Sequence, residues 1–314
     1  HFLKMINYNL QGLKIILIII NFRYNNYWRY YMNKKVIFFD VDGTLVDVRS
    51  SQEFIPESTI KAIQATKQKG NLCFLCTGRS KAEIFSHILE IGFDGIIGAG
   101  GGFVEIGDEM LYHKQVSRNA IHHVVDFFEE HNFDFYIESN GGLYASQHLI
   151  PRLESIMYGD LENDPEARRK KKEAPNHFIN SLKIGYDLHR DDVNKICFLE
   201  KEGFPFENIK AEFNLEFNVI HCTVPMFGND SGELSVPGVN KASAIEALIT
   251  HLGIPKDNTY AFGDGLNDID MLKFCQYGIA VGNAAEGLKA IADEITDDII
   301  DDGIYNSMKK HGLI

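Results

Sequence analysis

Residues 36–44 read Val-Ile-Phe-Phe-Asp-Val-Asp-Gly-Thr, and this stretch decides the fold class. Four consecutive apolar residues, β-branched or aromatic, predict a short strand that is buried on both faces. Asp40 directly follows this strand, and Asp42 comes two positions later. Because side chains alternate along an extended chain, both carboxylates point to one side, and Gly43 permits the turn that leaves the strand. The stretch therefore predicts a buried strand that ends in a pair of acids.

The pattern of strand, loop and helix repeats outward from this point. Strands are predicted over 36–39, 72–76, 260–262 and 278–281, and a helix is predicted over 58–69. The strands are followed by Asp40, Thr77, Gly263-Asp264 and Gly282-Asn283. This alternation predicts an α/β fold, a Rossmann-like doubly wound parallel sheet with helices on both faces. Such sheets bind ligands at the carboxyl ends of their strands, where these polar residues and glycines lie.

Length, charge and cysteine content restrict the class of protein. The 314 residues provide enough chain for about two domains. The formal net charge of −13 disfavours a large nucleic-acid or anionic-membrane surface, since both attract positive charge. Five scattered cysteines argue against a disulfide framework and for a reducing compartment, the cytoplasm. The composition leaves the oligomeric state open.

The first 31 residues differ from the rest of the chain. They contain four Lys or Arg residues and no Asp or Glu. Their longest apolar run, 15–20, is too short to span a membrane and lacks the small residues of a signal-peptide cleavage site. We expect residues 1–31 to be a non-native or disordered leader, with natural synthesis starting at Met32. The alternative is a genuine extension or a weak amphipathic anchor.

Two further groups make the acid pair more than a turn motif. An isolated Asp-x-Asp is more often a capping or turn element than a site. Here residues 263–268, Gly-Asp-Gly-Leu-Asn-Asp, add two carboxylates and an amide at another strand end, and Mg²⁺ takes oxygen ligands of this kind. Lys241 begins a helical stretch over 242–252 and places positive charge near a helix N-terminus, which suits phosphate. Standing alone, it would be read as a solvated lysine of the first turn.

Taken in order, these motifs resemble those of the haloacid dehalogenase superfamily of phosphohydrolases. The four motifs are Asp40-Val-Asp42-Gly43-Thr44, Thr77-Gly78-Arg79, Lys241 and Gly263-Asp264-Gly265-x-Asn267-Asp268. The ordered set is specific, and the resemblance spans essentially residues 32–314. The tail of the fourth motif, 269–272, is similar to the Cof-type subfamily.

The resemblance implies a role for each motif residue. Asp40 would be the nucleophile and Asp42 the general acid and base. The implied phosphate-binding residues are Thr77, Gly78, Lys241 and Asn267. The implied Mg²⁺ ligands are Asp40, Asp264 and Asp42, the last through its backbone carbonyl. Gly43, Thr44, Arg79 and Asp268 would support the site.

The spacing of the motifs implies an inserted domain. Thr77 and Lys241 are 164 positions apart, far more than a crossover in the core needs. Family likeness assigns 32–110 and 233–314 to the catalytic core and 111–232 to an α/β cap of the second type. Within it we expect a helix near 120–131, a hairpin around 140–142, and strands over 181–186 and 218–224. One departure is Ala99, which stands where members often have Asn.

The predicted activity is Mg²⁺-dependent hydrolysis of a small phosphate monoester, such as a sugar phosphate, with neither nucleic acid nor membrane as partner. A phosphomutase remains open because only the phosphoryl acceptor differs, and a non-catalytic sensor of phosphorylated ligands is a weaker alternative. The glycines at 98–102 do not complete a dinucleotide fingerprint. Cys73 and Cys76 are expected to pack in the core. The basic run 168–172 is read as a solvated helix face, with binding of a second anionic group as the alternative.

Overall fold

The computed structural model describes residues 34–49, 54–222 and 224–314, and the predicted leader 1–31 lies outside these described residues. The strands are β1 Val36–Phe39, β2 Leu72–Cys76, β3 Gly95–Gly98, β4 Phe103–Ile106, β5 Glu109–His113, β6 Phe135–Ser139, β7 Gly142–Ala145, β8 Leu182–Lys183, β9 Val193–Phe198, β10 Asn218–His221, β11 Gly232–Ser235, β12 Thr259–Gly263, β13 Tyr277–Ala280 and β14 Glu294–Ile295. The helices are α1 Glu57–Gln68, α2 Ser86–Leu89, α3 Arg118–Glu130, α4 Leu149–Tyr158, α5 Pro165–Glu173, α6 His177–Ser181, α7 Phe206–Phe213, α8 Lys241–Leu252, α9 Ile269–Phe274, α10 Glu286–Lys289 and α11 Gly303–Lys310. Among these described helices, none combines the length and the apolar composition that crossing a membrane requires.

The described chain separates into two compact units. The first contains the described residues up to Phe74 together with Ile245–Ile314, and the second contains Leu75–Ala244. The second unit includes the whole of the stretch 111–232 that was assigned to a cap, together with residues 75–110 and 233–244, which were assigned to the core.

The first sheet confirms the predicted α/β fold. Its strand order is β14-β13-β12-β1-β2-β3-β4-β5. β1 pairs in parallel with β12, β12 with β13, and β13 with β14. The four residues of β1 are completely buried, as expected for a strand covered on both faces. β3, β4 and β5 form an antiparallel meander at the other edge.

The elements around β1 follow from local sequence. β1 and β2 have the predicted bounds, and α1 is shifted from the prediction by one residue at each end. α1 starts after Pro56, whose fixed φ suits a helix start, and carries Glu57 in its first turn. It ends just before Gly70, which has a φ of +86°, a value that glycine adopts at little cost. Cys73 and Cys76 are both free and completely buried, which confirms their prediction as core residues.

The second sheet lies wholly within the second unit. Its strand order is β10-β11-β9-β6-β7-β8, and the predicted hairpin is the β6–β7 connection. One sheet face packs on α3 and α7 through an aromatic cluster that includes Phe128, Phe135, Phe198 and Phe213. Tyr136, Leu143 and Cys197 belong to a second cluster with residues of α4 and α6. The strands thus alternate between two buried faces, as their period of two requires.

Two predicted strands of this unit are shorter than expected. The strand expected over 181–186 is limited to Leu182–Lys183, because Ser181 still belongs to α6 and Gly185 turns the chain with a φ of +78°. The strand expected over 218–224 ends at His221. The predicted cap helix is α3, which begins two residues earlier than expected with Ser117 as its N-cap.

Candidate active site

Three carboxylates converge in the first unit. Asp40 follows β1, and its backbone N–H donates to the carbonyl of Phe262 on β12 at 3.0 Å. Asp264 and Asp268 come from the loop that follows β12. One oxygen of each of the three side chains lies within 4.8 Å of the others. A cluster of hard oxygen donors at this separation is suited to a divalent cation.

Gly43 and Thr44 fix the position of Asp264. The Thr44 hydroxyl donates to Asp264 Oδ1 at 2.9 Å. Gly43 has a φ of +83°, and a Cβ at this position would overlap the Asp264 carboxylate. Only glycine satisfies both the conformation and the close approach. Both residues, predicted as supporting, therefore contact the acid cluster.

Asp268 contributes more than the sequence suggested. It is completely buried, and its Oδ2 accepts hydrogen bonds from the backbone N–H groups of Asp264 and Gly265, each at 3.1 Å. These contacts fix the loop after β12, and the side chain also joins the acid cluster. Asn267, next to it, is exposed within the 3₁₀ turn Leu266–Asp268.

The two acids of the first motif differ in environment. Asp40 is 5% exposed, whereas Asp42 is exposed at the turn. The side chain of Asp42 is not among the three carboxylates that converge. A buried acid within the cluster and an exposed acid beside it can divide the work of attack and proton transfer.

Sequence reasoning missed Asn283 as a site residue. Its Nδ2 donates to the carbonyl of Gly43 at 2.7 Å, and its Oδ1 accepts from the N–H of Ile299 at 3.1 Å. The side chain thus ties the turn of the first motif to the segment after β14. The signal was available, because Asn283 follows the fourth predicted strand just as Asp40 follows the first.

In the second unit, the Thr77 motif packs against a glycine loop, residues 98–102. The N–H of Gly100 donates to the carbonyl of Thr77 at 2.9 Å, and the N–H of Ala99 donates to the carbonyl of Arg79 at 2.8 Å. Ala99 has a φ of +51°, a conformation that Asn adopts more readily than Ala. Ala99 therefore holds this turn under more strain than an Asn would.

The same glycine loop contacts the segment before Lys241. Gly101 has a φ of +106°, and a Cβ there would overlap the carbonyl oxygen of Asn240. Lys241 is the first residue of α8 and only 3% exposed, which excludes a solvated first-turn lysine. Thr77 is completely buried. The glycine loop therefore contacts both the Thr77 motif and the segment before Lys241, which carry the predicted phosphate-binding residues of this unit.

The segment that follows the Thr77 motif carries an unusual acid, Glu83. Its Oε2 accepts from the N–H of Ser80 at 3.1 Å, and its carbonyl accepts from Arg79 at 2.9 Å. Burial and the neighbouring Glu138 carboxylate raise the pKa of Glu83 well above its usual range, against the opposing effect of Lys195. The folded chain therefore binds a proton at Glu83 more tightly than the unfolded chain does.

This proton makes stability depend on pH. Because the pKa of Glu83 is higher in the folded than in the unfolded chain, its contribution is fully present below the unfolded value and is lost as pH rises through the folded value. Glu83→Gln mimics the protonated acid, so we expect it to raise the melting temperature at pH 8 and to change it little near pH 4.5. Thermal melts across this range measure the effect. The exposed Glu129→Gln is the control, and an equal response of both variants would contradict this prediction.

The basic run 168–172 lies on α5 and is exposed except for Lys171, which is half-buried. Arg169 pairs with Glu166 and Glu173 of the same helix, and Lys171 pairs with Glu154 of α4. These partners are the protein's own carboxylates, so the geometry favours the solvated helix face over a site for a second anion.

Comparison with known proteins identifies the family. The family model described as haloacid dehalogenase-like hydrolase matches residues 37–308. The chain belongs to this family. The match includes all four motifs and both units.

Relatives of this haloacid dehalogenase-like (HAD) chain include phosphatases. YkrA of Bacillus subtilis (strain 168) is 31% identical over 291 residues, which cover 90% of this chain and 100% of YkrA. From the same organism, the 5-amino-6-(5-phospho-D-ribitylamino)uracil phosphatase YcsE is 25% identical over 277 residues, 88% of this chain and 94% of YcsE. The structure of the HAD subclass IIB sugar phosphatase BT4131 is similar with a TM-score of 0.67 and 27% identity, covering 90% of this chain and 100% of BT4131. The chain is a HAD phosphatase, a hydrolase of small phosphorylated substrates.

Proposed function

We propose that this HAD phosphatase hydrolyses a small phosphate monoester through an aspartyl phosphate formed on Asp40, with Mg²⁺ as its cofactor. The observation that carries the proposal is the difference between the two acids of the first motif. Asp40 lies in the acid cluster with Asp264 and Asp268, while Asp42 is exposed two residues later. This arrangement supports Asp40 as a nucleophile beside the bound cation and Asp42 as a proton donor whose side chain lies outside the acid cluster.

The donor set of the cluster fits Mg²⁺. All three side chains offer carboxylate oxygens, which this small hard cation prefers. Asp40 and Asp264 would hold the ion with the backbone carbonyl of Asp42, and Asp268 adds a third carboxylate. A bound Mg²⁺ would neutralise part of the charge on the phosphate oxygens.

The chain's own residues then carry two steps. A carboxylate oxygen of Asp40 attacks phosphorus, the bond from phosphorus to the ester oxygen breaks, and protonated Asp42 gives its proton to the leaving alcohol. In the second step the Asp42 carboxylate takes a proton from water, whose oxygen attacks the aspartyl phosphate. Inorganic phosphate leaves, and Asp40 is again a carboxylate while Asp42 is again protonated.

Phosphate binding is proposed for Thr77, Gly78, Lys241 and Asn267. Support comes from the burial of Thr77 and from the position of Lys241 at the first residue of α8, where the helix dipole adds to its charge. Arg79 is proposed to support the motif through its contact with the carbonyl of Glu83.

Substrate choice is proposed to depend on residues 111–232, acting as an inserted cap. All four motifs lie outside this stretch. Since YcsE and BT4131 are named for different phosphate esters, family membership alone does not select the substrate. A screen of phosphorylated sugars, nucleotides and vitamins is the direct route to the substrate.

All five cysteines are free, which supports a cytoplasmic location.

Release of inorganic phosphate from a generic aryl phosphate tests the proposed activity. We expect turnover that requires Mg²⁺ and stops with a chelator. A phosphomutase would release phosphate only slowly and would need a sugar acceptor for fast turnover. A sensor would bind without releasing phosphate, and either outcome would contradict the proposal.

A substitution in the first-motif turn tests the geometry of the acid cluster. Gly43→Ala forces Asp264 to move, because the new Cβ would overlap its carboxylate. We expect kcat/KM to fall by about 10²-fold, the scale of a misplacement near 1 Å. The Mg²⁺ concentration that gives half-maximal activity should rise. Both are measured in the aryl phosphate assay.

Gly70→Ala is the matched control for this variant. Gly70 has a φ of +86°, close to that of Gly43, but a Cβ there has no atom within 4 Å. It therefore introduces the same backbone strain without the overlap, and should lower stability while leaving kcat/KM within about twofold. Equal loss of activity in both variants would refute the role of the close approach.

A further inference from the structure

An ion pair between a buried carboxylate and a partly buried lysine lies on the second sheet, outside the four motifs. Glu138 on β6 and Lys195 on β9 are register partners, and their side chains lie 3.1 Å apart. Lys195 also pairs with Glu233 of β11 at 3.2 Å. Glu138 is 1% exposed. The desolvation cost of such a pair offsets much of its Coulombic gain, so the pair is weak evidence for stability.

The second carboxylate oxygen of Glu138 leads to the Thr77 motif. Glu138 Oε2 accepts a hydrogen bond from the hydroxyl of Ser80 at 2.9 Å. Asn194, the neighbour of Lys195 on β9, donates its Nδ2 to the same hydroxyl oxygen, also at 2.9 Å. Ser80 is completely buried. Its hydroxyl is therefore held by both central strands of the second sheet.

Ser80 directly follows Thr77-Gly78-Arg79 and limits how that motif can move. The N–H of Arg79 donates to Thr77 Oγ1 at 3.1 Å. The N–H of Ser80 donates to Glu83, and Arg79 donates to the Glu83 carbonyl. A shift of Ser80 would move Arg79 and with it the hydrogen bond that orients the Thr77 hydroxyl.

We propose that Ser80, Glu138 and Asn194 are positioning residues that hold Thr77 in the orientation for binding phosphate. The inference rests on the proposed phosphate-binding role of Thr77. Glu138 and Asn194 belong to the stretch 111–232, for which a role in substrate choice is proposed, so this stretch would also act on phosphate binding. Buried hydrogen-bond networks that support a site residue in this way fix its geometry.

Ser80→Ala tests the proposal in the full-length protein. The variant removes the hydroxyl that both strands hold and leaves Thr77 in place. We expect the inhibition constant of inorganic phosphate and the KM for an aryl phosphate each to rise about tenfold, with a smaller change in kcat. A merely structural role would lower the melting temperature without this split between KM and kcat.

Ser231→Ala is the matched control. Ser231 is also completely buried in the second unit, and its hydroxyl donates to the carbonyl of Gly228 at 2.6 Å. We expect it to lower the melting temperature to a similar extent and to leave the phosphate inhibition constant within twofold. Glu138→Gln retains an oxygen acceptor for Ser80, so it should retain most of the phosphate affinity that Glu138→Leu loses.

The outcomes separate this inference from the proposed function. An active wild type whose phosphate inhibition constant does not move in Ser80→Ala would overturn the positioning role alone. A wild type that releases no phosphate from the aryl ester would overturn the proposed function and this inference together. If Ser80→Ala fails to fold, Asn194→Ala removes the second hydrogen bond to Ser80. An unchanged inhibition constant in that variant would likewise overturn the positioning role.

Discussion

Asp40→Asn is expected to lower turnover by about 10⁴-fold or more, the scale seen when a covalent nucleophile is lost. The amide keeps the size of the side chain but attacks phosphorus poorly, and it removes one of the three carboxylates that converge with Asp264 and Asp268. Turnover of an aryl phosphate measures the loss. Rapid quench followed by mass analysis should find phosphate on Asp40 in the wild type and none in the variant.

Asp47→Asn is the control for this experiment. Asp47 is also buried and lies in the same segment, but it pairs with Arg49 at 2.8 Å and is not part of the acid cluster. We expect it to reduce stability and to change turnover by less than about tenfold. Phosphate trapped on another residue, or near-normal turnover of Asp40→Asn, would show the mechanism to be wrong even with the family correctly assigned.

The loss of turnover in Asp42→Asn is expected to depend on how much protonation the leaving alcohol needs. Without its proton donor, the enzyme should lose about 10³-fold in turnover of a sugar phosphate, within the range for general acid–base catalysis. An aryl phosphate with an acidic leaving alcohol needs little protonation and should retain its phosphorylation step far better. The phosphoenzyme should then accumulate, because Asp42 also activates the water of the second step.

The two substrates therefore serve as each other's control. A burst of released alcohol followed by slow turnover, measured by stopped flow with the aryl phosphate, is the expected signature of Asp42→Asn. An equal loss of the phosphorylation step with both substrates would place Asp42 in a different role, such as binding.

Four of the eight strands of the first sheet, β1, β2, β12 and β13, were predictable from sequence because their signals are local. β1 and β2 are uninterrupted apolar runs. All four residues of β1 and the last four residues of β2 are buried, as such runs predict. The hairpin between β6 and β7 also followed from its glycines. The strand β8 was overestimated because the turn at Gly185 ends an apolar pattern that continues in sequence.

The contacts within the site were only partly predictable. The motifs identified Asp40, Asp264 and Asp268, but the two hydrogen bonds by which the Asp268 carboxylate fixes its own loop depend on the path of that loop, which no periodicity encodes. The bond from Asn283 to Gly43 joins residues 240 positions apart. The hydrogen bond from Ser80 to Glu138 likewise joins residues 58 positions apart. Contacts of this kind depend on how elements pack, so they require the folded chain.

The acid cluster has a consequence for protein synthesis on the ribosome. The bond from Thr44 to Asp264 spans 220 positions, and the entire second unit is translated between its partners. A nascent chain that carries Asp40 cannot assemble the cluster until the second unit and then Asp264 and Asp268 have been made. Closing so long a loop costs only about 0.6 kcal/mol more for each doubling of its length. The second unit can therefore lengthen or shorten with little entropic effect on the acid cluster, while the order of translation delays catalysis until residues 264–268 have been made.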